Sequence, residues 1–243
     1  MLESHVVQLA DRTIHFVVSG LDAGPRVLFV HGSPGSWRAF DSYLEDSLLA
    51  ERARLIAMDR PGFGGSGRGR VEVSLSRQAA AAAAVLEVVG GGPAIVVGHS
   101  YGGPVAARLA VDRPELVQAL VLVAPSIDPE LEELRWFNRA ASSALAERLL
   151  PRDLVTSNRE ILPLAAELTT LAPRWGEIRV PVIVVQGLRD RLVDPANADF
   201  AERVLTAPPL RVKRLPSVGH LIPWTRPATI KGPLLALLDA ARR

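Results

Sequence analysis

The residue best placed to do chemistry is Ser100. In "AIVVGHSYGGPVAARLA", residues 94–110, it stands where a β-branched block gives way to an alanine-rich one. Gly98 lies two positions before it, and Gly102 and Gly103 lie two and three after. Glycines at those positions leave room for a sharp strand-to-helix turn that strains the serine backbone and exposes its hydroxyl. A helix starting near Tyr101 would point its N-terminal amides, with their partial positive charge, at an oxyanion formed on Ser100. The bare GxSxG pattern is weak evidence, and its place between strand and helix gives it weight.

A serine hydroxyl is a poor nucleophile until a base takes its proton, and the base needs an acid to orient it. Of the five histidines (His5, His15, His31, His99, His220), only His220 follows Ser100. It lies in "LPSVGHLIPW", just past a strand expected over 210–215. Asp190, in "VIVVQGLRDRLVD", follows a strand expected over 181–186. Serine, aspartate and histidine thus each follow a different strand, and in a parallel sheet they share one rim, where ligands bind. Asp194 is a rival acid. Asp190 is nearer its strand end, and Asp194 suits a cap on a helix beginning around Pro195. His31 and His99 flank the serine and are expected to bond loop backbone, whereas His5 and His15 belong to an N-terminal hairpin and should face solvent. "GFGGSG", residues 62–67, matches GxGxxG, but "RGRVEVS" follows it instead of a helix, so no nucleotide site is expected.

The elements that must position these residues read as eight strands: "HVVQL", "TIHFVVSG", "RVLFVHG", "RLIAMD", "AIVVGHS", "ALVLVAP", "VPVIVVQG" and "LRVKRLP". The first two are close enough to form a hairpin. The runs "VLFV", "AIVV", "LVLV" and "VIVV" are continuously apolar, as strands buried on both faces should be. Helical stretches are expected at roughly 37–50, 75–89, 101–112, 195–206 and 227–242. The alternation predicts an α/β fold, a mostly parallel eight-stranded sheet with helices on both faces. Between Pro125 and Val180 no strand signal occurs. "PELEELRWFNRAASSALAERLL" and "ILPLAAELTTLA" are helical in character, split by Pro151 and Pro163. Residues 126–175 are therefore expected to form a helical cap inserted into a core made of 1–125 and 176–243. Trp37, Tyr101, Trp136 and Phe137 are candidates to line a substrate pocket.

Composition removes several classes of function. The 243-residue chain has no cysteine, so disulfides, thiolate metal sites and cysteine nucleophiles are excluded. The histidines lack metal-binding spacing, and neither a metal nor a cofactor is expected. With a net charge of +2 and no run of basic residues, no nucleic-acid partner is expected. No window is long and apolar enough for a membrane span, and "MLESHVVQLADR" does not read as a signal peptide. The expectation is a cytoplasmic protein whose partner is a small acyl substrate.

In their order along the chain, "FVHGSPGS", "MDRPGFGGSG", "GHSYGG", "GLRD" and "VGH" resemble the α/β-hydrolase fold superfamily over nearly the whole chain, least in 126–175. The resemblance implies that Ser100 attacks, His220 is the base and Asp190 orients it. It also implies an oxyanion hole from the backbone N–H groups of Ser33 and Tyr101. Members that open epoxides or remove halides carry aspartate at the elbow. Serine implies acyl transfer to water, with a small, largely apolar carboxylic ester as the first substrate class. A C–C bond hydrolase and a cofactor-free perhydrolase or haloperoxidase could use the same triad. A non-catalytic ligand-binding protein on this fold is the alternative from another class. The family often has a glutamate where this chain has Thr225, before Pro227, a departure expected to leave the chemistry unchanged.

Overall fold

A computed structural model describes residues 2–134, 136–207 and 209–241, with the side chains of Phe137 and Ala241 set aside. Eight strands form one sheet: β1 (Glu3–Gln8), β2 (Thr13–Gly20), β3 (Arg26–Val30), β4 (Arg54–Met58), β5 (Ala94–His99), β6 (Val117–Val123), β7 (Val182–Gly187) and β8 (Leu210–Leu215). Their order is β1-β2-β4-β3-β5-β6-β7-β8. β1 and β2 form an antiparallel hairpin, β2 also runs antiparallel to β4, and all other pairs are parallel.

Position in the sheet explains the sequence of each strand. β3 and β5 are buried at every residue, so "VLFV" and "AIVVG" within them are apolar without alternation. The edge strands β1 and β8 alternate between less and more exposed residues, as strands with one solvated face do. Two cores cover the two faces. One packs α1 (Leu75–Val89) and α2 (Gly102–Asp112) beneath the sheet, with Leu164, Leu168 and Trp175 at its edge. The other buries Phe29, Phe40 and Tyr43 with Ile230, Leu234 and Leu238 of the C-terminal helix.

The chain leaves β3 toward β4 on one side and later returns through β5 toward β6 on the other. The strand order therefore reverses between β3 and β5, and a ligand crevice opens at the carboxyl ends of such a pair. The loop after β3 and the turn after β5 meet there.

Between β6 and β7 the chain is helical: α3 (Trp136–Ala141), α4 (Ala144–Leu149), α5 (Arg152–Ile161) and α6 (Leu164–Leu171). After β7 comes α7 (Asn197–Val204), and α8 (Ala228–Ala241) closes the chain. The helix expected over 37–50 is not continuous. It breaks into the single turns Trp37–Phe40, Asp41–Leu44 and Ser47–Ala50. Asp46 adopts an extended backbone, and its carboxylate accepts from the Leu49 amide at 3.1 Å, starting a new turn instead of continuing the old one. No helix among the described residues is long and apolar enough to cross a membrane.

Candidate active site

The turn after β5 is built around Ser100, whose φ of +54° is left-handed and rare for a residue with a side chain. Its amide donates to the Val123 carbonyl of β6 at 2.9 Å, and its carbonyl accepts from Gly103 at 2.9 Å and Ser126 at 3.3 Å. The flanking glycines are steric necessities. A Cβ on Gly98 would lie 2.3 Å from the Gly102 carbonyl oxygen, and one on Gly102 would lie 2.2 Å from that of Val30. One on Gly103 would press to 2.6 Å on Pro125. Only a chain without those atoms can turn this sharply against β3 and β6.

Asp190 follows β7, and its Oδ2 accepts from His220 Nδ1 at 2.7 Å. Its Oδ1 accepts from the amides of Leu192 and Val193 at 2.9 and 3.0 Å. Burial would raise the carboxyl pKa, but the imidazole and the two amides outweigh it and hold Asp190 below the ordinary carboxylate range. An ionised Asp190 keeps the proton on His220 Nδ1, which leaves Nε2 with a lone pair. Asp194 instead accepts from the Ala196 amide at 2.9 Å, in the turn that leads into α7.

His99 buttresses His220. Its Nε2 donates to the His220 carbonyl at 3.3 Å, and the two rings lie 4.9 Å apart. Burial, with the nearby His220 adding to it, pushes the His99 pKa down to about 3, so the ring is a neutral donor. His31 is also buried and neutral. Burial and the Arg60 charge hold its pKa well below the usual value. Its Nδ1 donates to the Gly32 carbonyl at 2.7 Å, and its Nε2 accepts from the Arg60 amide at 2.9 Å.

Ser33, Ser100, Tyr101 and His220 line one cavity of about 190 Å³. Neither the Ser33 nor the Tyr101 amide donates to a protein acceptor among the described residues. Ile161, Leu164 and Val193 supply apolar wall. Glu132 and Glu133 also line the cavity, and among the described residues no lysine or arginine stands in its wall. Burial raises the Glu132 carboxyl pKa, opposed by a hydrogen bond from the Ser126 hydroxyl. The sequence reading places these glutamates in a helical stretch, but they sit in an irregular segment between the short turn Pro129–Leu131 and α3.

The aromatic candidates are placed differently. Tyr101 lines the cavity, but Trp37 and Trp136 do not. Trp37 packs against the core of Phe29, Phe40 and Tyr43 on the sheet's other face and donates its amide to Asp59 at 2.8 Å. Trp136 opens α3 with 80% of its surface exposed. The Phe137 side chain lies outside the described residues. His15 does not face solvent as expected: its Nδ1 bonds Asp59 Oδ2 at 2.8 Å. Asp59 Oδ2 also accepts from the Gly65 amide at 2.8 Å, so "GFGGSG" is a loop folded onto a carboxylate. Among the described residues no group of three histidines or carboxylates could hold a metal ion.

Sequence reasoning missed a buried polar cluster beside this cavity. Arg60, Gln78 and Glu160 are all 0% exposed. Arg60 forks onto Glu160 through two 2.8 Å bonds, and Gln78 Nε2 reaches Glu160 at 3.2 Å and the Tyr101 hydroxyl at 3.4 Å. An arginine two residues past the apolar strand β4 was the one available hint.

The chain matches the model of the alpha/beta hydrolase family over residues 27–230. It is 24% identical to a 2-(acetamidomethylene)succinate hydrolase of Mesorhizobium japonicum, covering 90% of this chain and 89% of that one. It is 29% identical to Lipase LipV of Mycobacterium tuberculosis, covering 89% and 81%. An alignment with Epoxide hydrolase 1 of Caenorhabditis elegans, 31% identical over 121 residues, spans 49% of this chain but only 30% of that protein. Among solved structures, the epoxide hydrolase CorEH superposes with a TM-score of 0.81 at 18% identity over the full length of both chains. The motifs, the sheet order and the match over most of its length agree: the chain belongs to the alpha/beta hydrolase family.

Proposed function

We propose that this enzyme is a serine hydrolase that cleaves a small, largely apolar carboxylic ester through an acyl-enzyme. The observation that carries the reading is the Asp190–His220 hydrogen bond of 2.7 Å, with His220 and the strained Ser100 on the wall of one cavity. His220 Nε2 takes the Ser100 proton as Oγ attacks the ester carbonyl. The oxyanion that forms accepts from the Ser33 and Tyr101 amides. The tetrahedral intermediate collapses, the alcohol leaves with the proton from His220, and the Ser100 ester remains. Water, deprotonated by His220, then attacks that ester and releases the acid.

The residue at the elbow argues against epoxide opening. A carboxylate that opens an epoxide leaves an ester, which water can hydrolyse. A serine would leave an ether, which this machinery has no means to cleave. The cavity supports a short, uncharged acyl group, since its wall is part apolar and, among the described residues, Glu132 and Glu133 are the only acidic or strongly basic side chains on it. Residues 126–175 act as a cap in this reading, contributing Glu132, Glu133, Ile161 and Leu164 to the pocket.

Hydrolysis of p-nitrophenyl butyrate tests the proposal. Wild-type protein should turn the ester over, and Ser100→Ala should lower kcat by at least ~10³-fold. Retention of most activity in Ser100→Ala would contradict it.

A further inference from the structure

The buried pair Arg60–Glu160 is used by no step above, and its geometry bears directly on one of them. Arg60 has five N–H groups, and the structure gives each an acceptor. Nε donates to the His31 carbonyl at 2.8 Å. Nη1 donates to Gln78 Oε1 at 2.6 Å and Glu160 Oε2 at 2.8 Å. Nη2 donates to Glu160 Oε1 at 2.8 Å and the Gly32 carbonyl at 3.0 Å.

The last contact matters most. The Gly32 carbonyl belongs to the same peptide plane as the Ser33 N–H, and that peptide is trans. In a trans peptide the C=O and N–H point in opposite directions, so fixing one aims the other. Arg60 Nη2 and His31 Nδ1 both hold the carbonyl, and the Ser33 amide on the opposite side is left for the cavity. The guanidinium also lies 4.5 Å from the centre of the Tyr101 ring, whose hydroxyl Gln78 reaches. The cluster thus holds the peptide that carries the Ser33 amide and packs on the side chain of Tyr101. Glu160 anchors that cluster from α5, and a second tie from the same helix runs from Ser33 Oγ to Ser157 Oγ at 2.8 Å.

We propose that Arg60, held by Glu160, is a positioning residue that aims the Ser33 amide, so that α5 governs the strength of the oxyanion hole without touching substrate. The inference rests on the reading of Ser100 as the nucleophile. A planar fork is required for it, because only a guanidinium can bond two successive carbonyls and a carboxylate together. A lysine could keep the charge pair but not the clamp.

Two variants test this. Arg60→Lys keeps a cation opposite Glu160. Arg60→Met with Glu160→Leu removes both charges, a replacement that buried pairs often tolerate without loss of stability. Each is measured with p-nitrophenyl butyrate and with phenylboronic acid, whose adduct on Ser100 is tetrahedral and mimics the intermediate. In both variants kcat should fall about 10- to 100-fold with KM changed less than about threefold, and phenylboronic acid affinity should weaken by a similar factor to kcat. Should the double variant not fold, Arg60→Lys carries the same comparison alone. Folded variants with unchanged kcat and boronic acid affinity would overturn the proposal, and so would a loss confined to KM. Fluorophosphonate labelling of wild-type Ser100 separates the two readings. Labelled wild type with unaffected variants removes only the positioning role, whereas unlabelled wild type removes the nucleophile and the positioning role with it.

Discussion

Ser100 holds a left-handed backbone that costs about 1–3 kcal/mol, and the neighbouring bonds to β6 and to Ser126 make that conformation the one that fits. The charge states around it follow from burial and partners. Asp190 stays ionised, while His31 and His99 stay neutral. The two histidines carry a consequence for stability. Their folded pKa values lie below the ordinary 6.5, so below that pH the unfolded chain takes up protons that the folded chain refuses. Stability therefore falls as pH drops through about 6.5, by up to about 1.4 kcal/mol per pH unit for each histidine, and for His99 the fall continues toward pH 3. Thermal unfolding of wild type and His99→Gln between pH 7 and pH 4 checks this. The variant should show the shallower decline, since its amide can still donate to the His220 carbonyl but cannot take up a proton. Equal slopes would contradict it.

The turn after β5 works because three glycines let α2 approach β5, β3 and Pro125 closely. Gly102→Ala would drive a Cβ into the Val30 carbonyl, so it should destabilise the protein by about 1–3 kcal/mol and misplace Ser100. Urea unfolding and ester turnover should both register the change, and a variant with wild-type values in both would contradict this steric reading. The elbow, the strand ends and the placement of Asp190 and His220 after separate strands were legible in the sequence. Buried strands are apolar without interruption, and turn glycines stand out against them. The clamp from α5 was not legible. The buried face of this helix carries Thr156, Ser157, Asn158 and Glu160, while Leu154 is exposed. A reading that turns apolar residues inward orients such a helix the wrong way round. Trp136 misled for the same reason: a tryptophan suggests a pocket, yet it opens α3 at the surface. The broken helix over 37–50 turned on one aspartate that prefers to cap.

The sheet as a whole brings these parts together at the point where its strand order reverses. Ser33 arrives from the strand on one side of that point and Ser100 from the strand on the other, while Asp190 and His220 come from farther along the same rim. The cavity of about 190 Å³ is smaller than most drug-sized ligand sites, so a long acyl chain cannot be enclosed. Among p-nitrophenyl esters, acetate and butyrate should exceed palmitate in kcat/KM by at least ~10-fold, which a chain-length series measures directly. A preference for palmitate would contradict the proposed selectivity for short acyl groups. The most direct measurement is stoichiometric reaction with a fluorophosphonate, followed by mass spectrometry to locate the adduct, with His220→Ala as control. One adduct per chain, on Ser100 and dependent on His220, is the predicted result. A folded wild-type protein that takes no adduct, or takes it elsewhere, would contradict the assignment of Ser100 as an activated nucleophile.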